Sequence, residues 1–274
     1  VPDWPNSYGH NMLLYPLTEM VAPGNEGIFF EHAHRLTGML IGMTSFIMVV
    51  CVWKWSASKC ARALALLIFI FVCVQGLLGG LRVTGHLTLA QDREMLSPNL
   101  WIGVVHGVVG QMIFAGFVTL SAMLSPKWKS PDKVAQKGDV KWATLLCSAM
   151  VFQLILGAVY RHMLGDEALA SKATHILYTH IVVAFLVLLF AIVTGIRCMG
   201  RDNALLKKLG ISLHSLVLLQ LLLGGGALVV ILINKGETIP LFEVIVTTLH
   251  QANGALLLGA SFATYAWVRR MISI

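Results

Sequence analysis

The stretch Phe30-Glu31-His32-Ala33-His34-Arg35 stands at the start of the first long apolar run in this 274-residue chain. The chain is 57% hydrophobic and only 12% charged, which excludes a soluble domain of this size. Each apolar run reaches the ~20 residues that a helix needs to cross a bilayer, where only helices satisfy their own backbone. The sequence predicts an all-α polytopic membrane protein with seven transmembrane helices, near residues 28–54, 61–81, 99–124, 141–160, 174–196, 209–233 and 243–268.

The basic residues predict the orientation of these helices. Fourteen of the 20 Lys and Arg residues lie in alternate loops, and the opposite side carries the other six. Because cytoplasmic loops are enriched in Lys and Arg, we expect the N-terminus of this chain outside and its C-terminus in the cytoplasm or matrix.

An internal repeat with a spacing near 145 residues predicts two pseudo-symmetric halves. Gln75-Gly76-Leu77-Leu78-Gly79-Gly80 recurs as Gln220-Leu221-Leu222-Leu223-Gly224-Gly225, with a looser copy at Gln153-Leu154-Ile155-Leu156-Gly157. We expect the small residues to let helices approach closely. The halves fit a pattern of four plus four helices whose first helix is absent. The predicted parts are an outside segment 1–27, an N-terminal half 28–126, a linker 127–140 and a C-terminal half 141–274.

Four of the ten histidines follow this repeat. His34 and His180 are 146 residues apart, and His106 and His250 are 144 residues apart. All four lie about six to eight residues inside the outer end of an odd-numbered run, at a common depth of ~10 Å. Two histidines from facing helices at equal depth suit a six-coordinate haem inside a bundle.

We therefore predict that His34 and His106 bind one haem iron and that His180 and His250 bind a second. The alternative for each is a hydrogen-bonded core histidine. Copper or zinc would require three or four ligands close together, which two separate pairs do not provide. The small residues after the histidines leave room for a flat macrocycle, although they also suit plain helix packing. They are Gly38, Gly107, Gly110, Ala184, Gly254 and Ala255.

The two halves differ next to the first predicted ligand. Glu31 lies one helical turn before His34, whereas its repeat counterpart is Leu177, and Arg35 corresponds to Ile181. A carboxylate near a haem edge could accept a proton or stabilise developing positive charge. Two other interpretations remain open: an ion pair of Glu31 and Arg35 at the membrane interface, or contact of Arg35 with a haem propionate.

These residues resemble the haem A synthase family, membrane proteins that oxidise a methyl group of haem O to the formyl group of haem A. The segment 1–9 is similar to the family's first extracellular loop. The other matching features are Glu31-x-x-His34-Arg35, the Gln-x-x-x-Gly-Gly helix ends, Ser97-Pro98 followed by His106, and the later histidines His180 and His250.

The resemblance implies an eight-helix bundle with two haem sites. The N-terminal half would bind the substrate haem O through His34 and His106, with Glu31 as the catalytic carboxylate and Arg35 beside the haem. The C-terminal half would hold a haem B through His180 and His250 for electron transfer.

The expected setting is a bacterial plasma membrane or the mitochondrial inner membrane, in cytochrome oxidase assembly. The lipid bilayer and haem O are the expected partners, together with an unidentified electron acceptor. Haem O synthase, or a subunit that fills the gap left by the first helix, is a further candidate, and no nucleic acid is expected.

Two departures and one rival accompany this resemblance. The family's first helix is absent, and many bacterial members carry cysteines at the positions of Val1 and Ser7, so a thiol-based electron route through this loop is disfavoured. The rival function is that of a non-catalytic di-haem cytochrome b subunit of a respiratory complex. A transporter with inverted repeats is disfavoured because the two halves have parallel topology.

Overall fold

The computed structural model describes residues 4, 6, 7, 9–22, 26–56, 58–83, 100–164, 169–234 and 240–272. These ranges form helices, and no strand occurs within them. The helices are α1 (Leu17–Met20), α2 (Glu26–Trp55), α3 (Lys59–Val83), α4 (Leu100–Leu124), α5 (Pro126–Lys129), α6 (Lys137–Leu164), α7 (Ala170–Met199), α8 (Ala204–Ile233) and α9 (Leu241–Arg270).

Seven of these helices, α2 to α4 and α6 to α9, are long and apolar enough to cross a membrane. The predicted all-α membrane fold with seven spanning helices is confirmed. Several helices extend a few residues beyond the predicted apolar run, as in α6, because their polar ends continue the same backbone hydrogen bonding.

The surface of the helices is apolar, as a lipid environment requires. Leu222 is 74% exposed and Phe185 is 62% exposed, and many other large apolar side chains are also exposed. In water a continuous surface of this kind would associate with other molecules, whereas in a bilayer it contacts lipid chains. The protein is therefore an integral membrane protein.

The chain forms two compact units, Val1–Ile113 and Phe114–Ile274. In the first unit α1 and α3 both pack against α2. The dividing point falls within α4, so the boundaries predicted from the repeat at 27, 126 and 140 stay predictions.

The second unit contains a closed ring of four long helices. Helix α6 packs against α7, α7 against α8, α8 against α9, and α9 against α6. Helices α7 and α9 consequently stand across the ring from each other, which is the arrangement in which facing side chains can share a site inside a bundle.

A buried ion-pair cluster joins the start of α6 to the end of α7. The Asp139 side chain is 1% exposed, and its two carboxylate oxygens lie 2.8 Å from Arg197 Nε and 2.9 Å from Arg201 Nε. The backbone N–H of Gln136 also donates to Asp139 at 2.8 Å. A carboxylate removed from water is stabilised only when such partners surround it. The cluster therefore holds the start of α6 against the end of α7. Along both helices, this position is distant from Gln153 and His180.

Replacing Asp139 by Asn should lower the melting temperature of the detergent-purified protein, because two arginines would lose their charged partner. We expect a cost of about 1–3 kcal/mol, less than for a fully buried pair, since the Arg197 and Arg201 side chains remain 31% and 18% exposed. The matched control is Asp202→Asn, because the Asp202 side chain is fully exposed and lies 3.5 Å from Lys207. Equal melting of the two variants would contradict a structural role for Asp139.

Candidate functional site

The first unit brings His34 of α2 next to His106 of α4. Their ring centroids are 6.2 Å apart and the ring planes meet at 69°. Both histidines lie within the first eleven residues of their helices. The two residues predicted to share one site are therefore neighbours in space.

The second unit repeats this geometry with His180 of α7 and His250 of α9. Their ring centroids are 6.5 Å apart and the ring planes again meet at 69°. These two histidines also lie within the first eleven residues of their helices. The internal repeat thus extends from sequence spacing to the distance and angle between two imidazole rings.

The ring separations fit one iron atom between two imidazoles. Two metal–nitrogen bonds of about 2 Å, plus about 1.1 Å from each nitrogen to its ring centre, give about 6 Å between centroids. A direct in-line hydrogen bond between the rings would give about 5 Å. Among the described residues, no group of three or more His, Cys, Asp and Glu side chains could hold a metal ion. Haem, which supplies four ligands of its own, suits donors that come in pairs.

Three of the four histidines share one contact with the preceding long helix. A glutamine Nε2 donates to the histidine's backbone carbonyl: Gln75 to His106 at 2.7 Å, Gln153 to His180 at 3.0 Å, and Gln220 to His250 at 3.1 Å. Four residues after each glutamine, a glycine lies against the ring of the same histidine. We call each such Gln and Gly, namely Gln75 with Gly79, Gln153 with Gly157 and Gln220 with Gly224, a Gln–Gly cradle.

The glycine of each cradle makes room for an imidazole ring. An added Cβ would lie 3.5 Å from His106 Cε1 at Gly79, and 3.0 Å from the corresponding Cε1 of His180 and His250 at Gly157 and Gly224. The sequence predicts that these small residues allow helices to pack closely. The structure shows in addition that the group occupying the space is the ring of a predicted ligand.

Glycines that follow the histidines divide into two kinds. A Cβ added at Gly110 would lie 3.6 Å from Gln75 Nε2, and one at Gly254 would lie 3.2 Å from Gln220 Nε2. Glutamine fills this space, so these two positions do not leave it for a macrocycle. A Cβ added at Gly38 would meet nothing within 4 Å, which fits the room expected after His34.

Glu31 and Arg35 form the ion pair that the sequence left as one of three interpretations. Arg35 Nη2 lies 2.5 Å from Glu31 Oε1, and the two side chains are 7% and 33% exposed. Arg35 Nη1 also donates to the backbone carbonyl of Asn6. The guanidinium is thus buried and held on two sides, while part of the carboxylate remains accessible one turn from His34.

His32 has a structural role whose partners the sequence does not identify. Its side chain is 2% exposed, and its Nδ1 lies 2.8 Å from the Oγ of Ser7. Its ring also lies 4.9 Å from that of Tyr15. His32 thereby fastens the segment before α2 to that helix, and Ser7 is a position at which the resemblance places a cysteine. Val1, Ser97 and Pro98 lie outside the described residues.

His214 is a further histidine inside a long helix of the second unit. Its Nε2 lies 3.0 Å from the backbone carbonyl oxygen of Ile192, and its ring packs against Gly195. This contact joins α7 to α8, so His214 is a hydrogen-bonded residue of the helix packing.

Adjacent glycines of α8 offer a test of the cradle geometry. Gly224→Ala should lower the melting temperature, because the new Cβ crowds the His250 ring at 3.0 Å, and such crowding costs about 1–3 kcal/mol. Gly225→Ala is the matched control, since an added Cβ there meets nothing within 4 Å. Alanine is favoured over glycine inside a helix by about 0.5–1 kcal/mol, so this control should melt at the same or a higher temperature. A loss of stability in Gly225→Ala equal to that in Gly224→Ala would refute the assignment.

Comparison with known proteins gives a family match. The profile of the COX15-CtaA family, described as cytochrome oxidase assembly protein, matches residues 7–168. No curated protein and no solved structure matches the chain. The matched residues include Glu31, His34, Arg35 and His106, and they make up more than half of the chain. The expected family is confirmed: the chain belongs to the COX15-CtaA family of cytochrome oxidase assembly proteins.

Proposed function

We propose that this protein is a haem A synthase, which oxidises the methyl group of haem O to the formyl group of haem A for cytochrome oxidase. The observation that carries the proposal is the asymmetry between two otherwise equivalent histidine pairs. Only the first pair has a charged carboxylate one helical turn away, at Glu31, where the second has Leu177. Two haems that only carry electrons would not need this difference.

The two pairs have different ligands in this proposal. His34 and His106 bind haem O as the substrate, and their centroid separation of 6.2 Å supports iron coordination by both rings. His180 and His250, at 6.5 Å, hold a resident haem B. When bound, haem B supplies one-electron redox chemistry.

Glu31 is the proposed catalytic residue. Oxidation of a methyl group with water, R–CH3 + H2O → R–CHO + 4 H⁺ + 4 e⁻, releases four protons and four electrons, which an external acceptor must take up. A haem B held by His180 and His250 would supply the one-electron chemistry for this transfer. The carboxylate of Glu31 accepts a proton and stabilises positive charge that develops on the substrate. Arg35 is a positioning residue, because its 2.5 Å contact fixes the carboxylate and its contact with Asn6 fixes the guanidinium.

The proposed setting follows from the charge distribution and the family. The excess of Lys and Arg in alternate loops supports an orientation with the histidine-bearing helix ends outside, in a bacterial plasma membrane or the mitochondrial inner membrane. A haem O synthase or an additional subunit is a candidate partner, since haem O is an apolar substrate that must reach the first pair from the membrane.

A non-catalytic di-haem cytochrome b is the second candidate function. The observation in its favour is that an ion pair such as Glu31–Arg35 also suits a helix end at a membrane interface. The pigment extracted from the purified protein separates the two functions, because a synthase contains haem O, its oxidised products or haem A, whereas the carrier contains haem B at both sites.

Replacing His180 or His250 by Ala should remove the haem B absorbance, because the iron loses one of its two axial ligands. The first pair should still load with haem, since its ligands lie in the other unit. His214→Gln is the matched control, because His214 contacts the backbone carbonyl of Ile192. This variant should have the same haem spectrum as the wild type. Full haem B absorbance in the His180 or His250 variants would contradict the assignment of the second site.

Replacing Glu31 by Gln should leave haem binding largely intact and stop the formation of haem A. The measurement is chromatography of haems extracted from cells that also make haem O. Glu243→Gln is the matched control, since Glu243 also lies near the start of a long helix but hydrogen-bonds Asn234. Its haem A yield should equal that of the wild type. Unchanged haem A in the Glu31 variant would show that Glu31 is not catalytic.

A further inference from the structure

The side-chain amide of Gln153 is only half satisfied. Its Nε2 donates to the backbone carbonyl of His180 at 3.0 Å, but its Oε1 is buried and has no hydrogen-bond partner in the described part of the chain. The Nδ1 of His180 is likewise buried without a partner among those residues. A buried polar atom without a partner costs about 1–3 kcal/mol. The same helix contact therefore contains one unused acceptor and one unused ring nitrogen.

The ring of His180 lies against the helix that carries the unused acceptor. A Cβ added at Gly157, one turn after Gln153 on α6, would lie 3.0 Å from His180 Cε1, 3.6 Å from its Nδ1 and 3.9 Å from its Nε2. The Cε1 edge of the ring is thus turned towards α6, and Nδ1 is the nearer of the two ring nitrogens to Gly157.

The third cradle shows that one amide can reach both atoms of a histidine. Gln220 Nε2 lies 3.1 Å from the backbone oxygen of His250 and 3.2 Å from its ring Nδ1. Asn253 Nδ2 donates to Gln220 Oε1 at 2.7 Å and so holds the amide in place. A glutamine at this position is therefore close enough to contact the backbone and the ring of the same residue.

A histidine that binds iron through Nε2 carries a proton on Nδ1, and this proton needs an acceptor. The acceptor fixes the tautomer and the ring orientation, and it raises the basicity of the ligating nitrogen. The Oε1 of Gln153 is an acceptor of the required kind, and it belongs to the amide that already contacts the backbone of His180.

We propose that Gln153 is a positioning residue for His180, whose Nδ1–H donates to Gln153 Oε1 while Gln153 Nε2 holds the His180 backbone carbonyl. This inference rests on the proposed function for the identity of the ligand, a haem iron bound through His180 Nε2. Gln75 stands in the same relation to His106, since its side chain is 8% exposed and its Oε1 also has no hydrogen-bond partner among the described residues.

The test is the midpoint potential of the second haem in the full chain, with His34→Ala as background so that only the second pair binds. Gln153→Leu removes the acceptor, which lowers ligand basicity and destabilises ferric iron. Its potential should rise, and its haem affinity should fall about 10–100-fold. Gln153→Glu supplies a stronger acceptor, so its potential should fall. The variant Gln251→Leu is the matched control, because Gln251 is exposed and contacts Arg161, and its potential should not change.

Opposite shifts in the Leu and Glu variants support the inference, since a purely structural role would not reverse sign. Unchanged potentials in both variants, or shifts of both potentials in the same direction, would overturn it. A Leu variant that melts at a lower temperature but keeps its potential would overturn it as well. The Gln153 variants could contradict the inference while the His34→Ala background still binds haem with bis-histidine spectra. In that case the proposed function stands. Absence of haem from that background would overturn both.

Discussion

A polar group inside a bilayer must find its hydrogen-bond partner within the protein, and this constraint explains the contacts that organise the described helices. In each Gln–Gly cradle, the glutamine side chain donates a hydrogen bond to the backbone carbonyl of a histidine on the next long helix. The glycine leaves room for the ring of the same histidine. Asp139 meets the same requirement with two arginines, and His32 meets it with Ser7. The polar residues of this chain therefore connect helices as well as forming its candidate sites.

The repeated cradle also accounts for the equivalence of the two histidine pairs. Because Gln75 and Gln220 hold His106 and His250 in the same way, the rings of each pair reach similar separations, 6.2 Å and 6.5 Å. Since the two pairs are otherwise equivalent, the charge at Glu31 beside the first pair is the difference that requires an explanation. Catalysis at the first pair supplies one, and membership of a cytochrome oxidase assembly family agrees with it.

Much of the fold follows from the sequence, since the length and apolarity of each run suffice to predict a spanning helix. The histidine pairs also follow, because the fixed rise of a helix converts matched repeat positions into matched depth. The contact of Gln153 with the His180 carbonyl does not follow, because it depends on how two helices cross. The contact of Ser7 with His32 links a loop to a helix 25 residues away, and no periodic pattern indicates such a pair.

The central claim is that two irons are each bound by two histidines of one chain. Electron paramagnetic resonance of the oxidised, haem-loaded protein tests it directly, because axial ligation by two imidazoles makes ferric haem low-spin. The account predicts two low-spin ferric haems per chain. A high-spin signal from a fully loaded protein, or a single low-spin haem with the other site unable to bind haem, would contradict it.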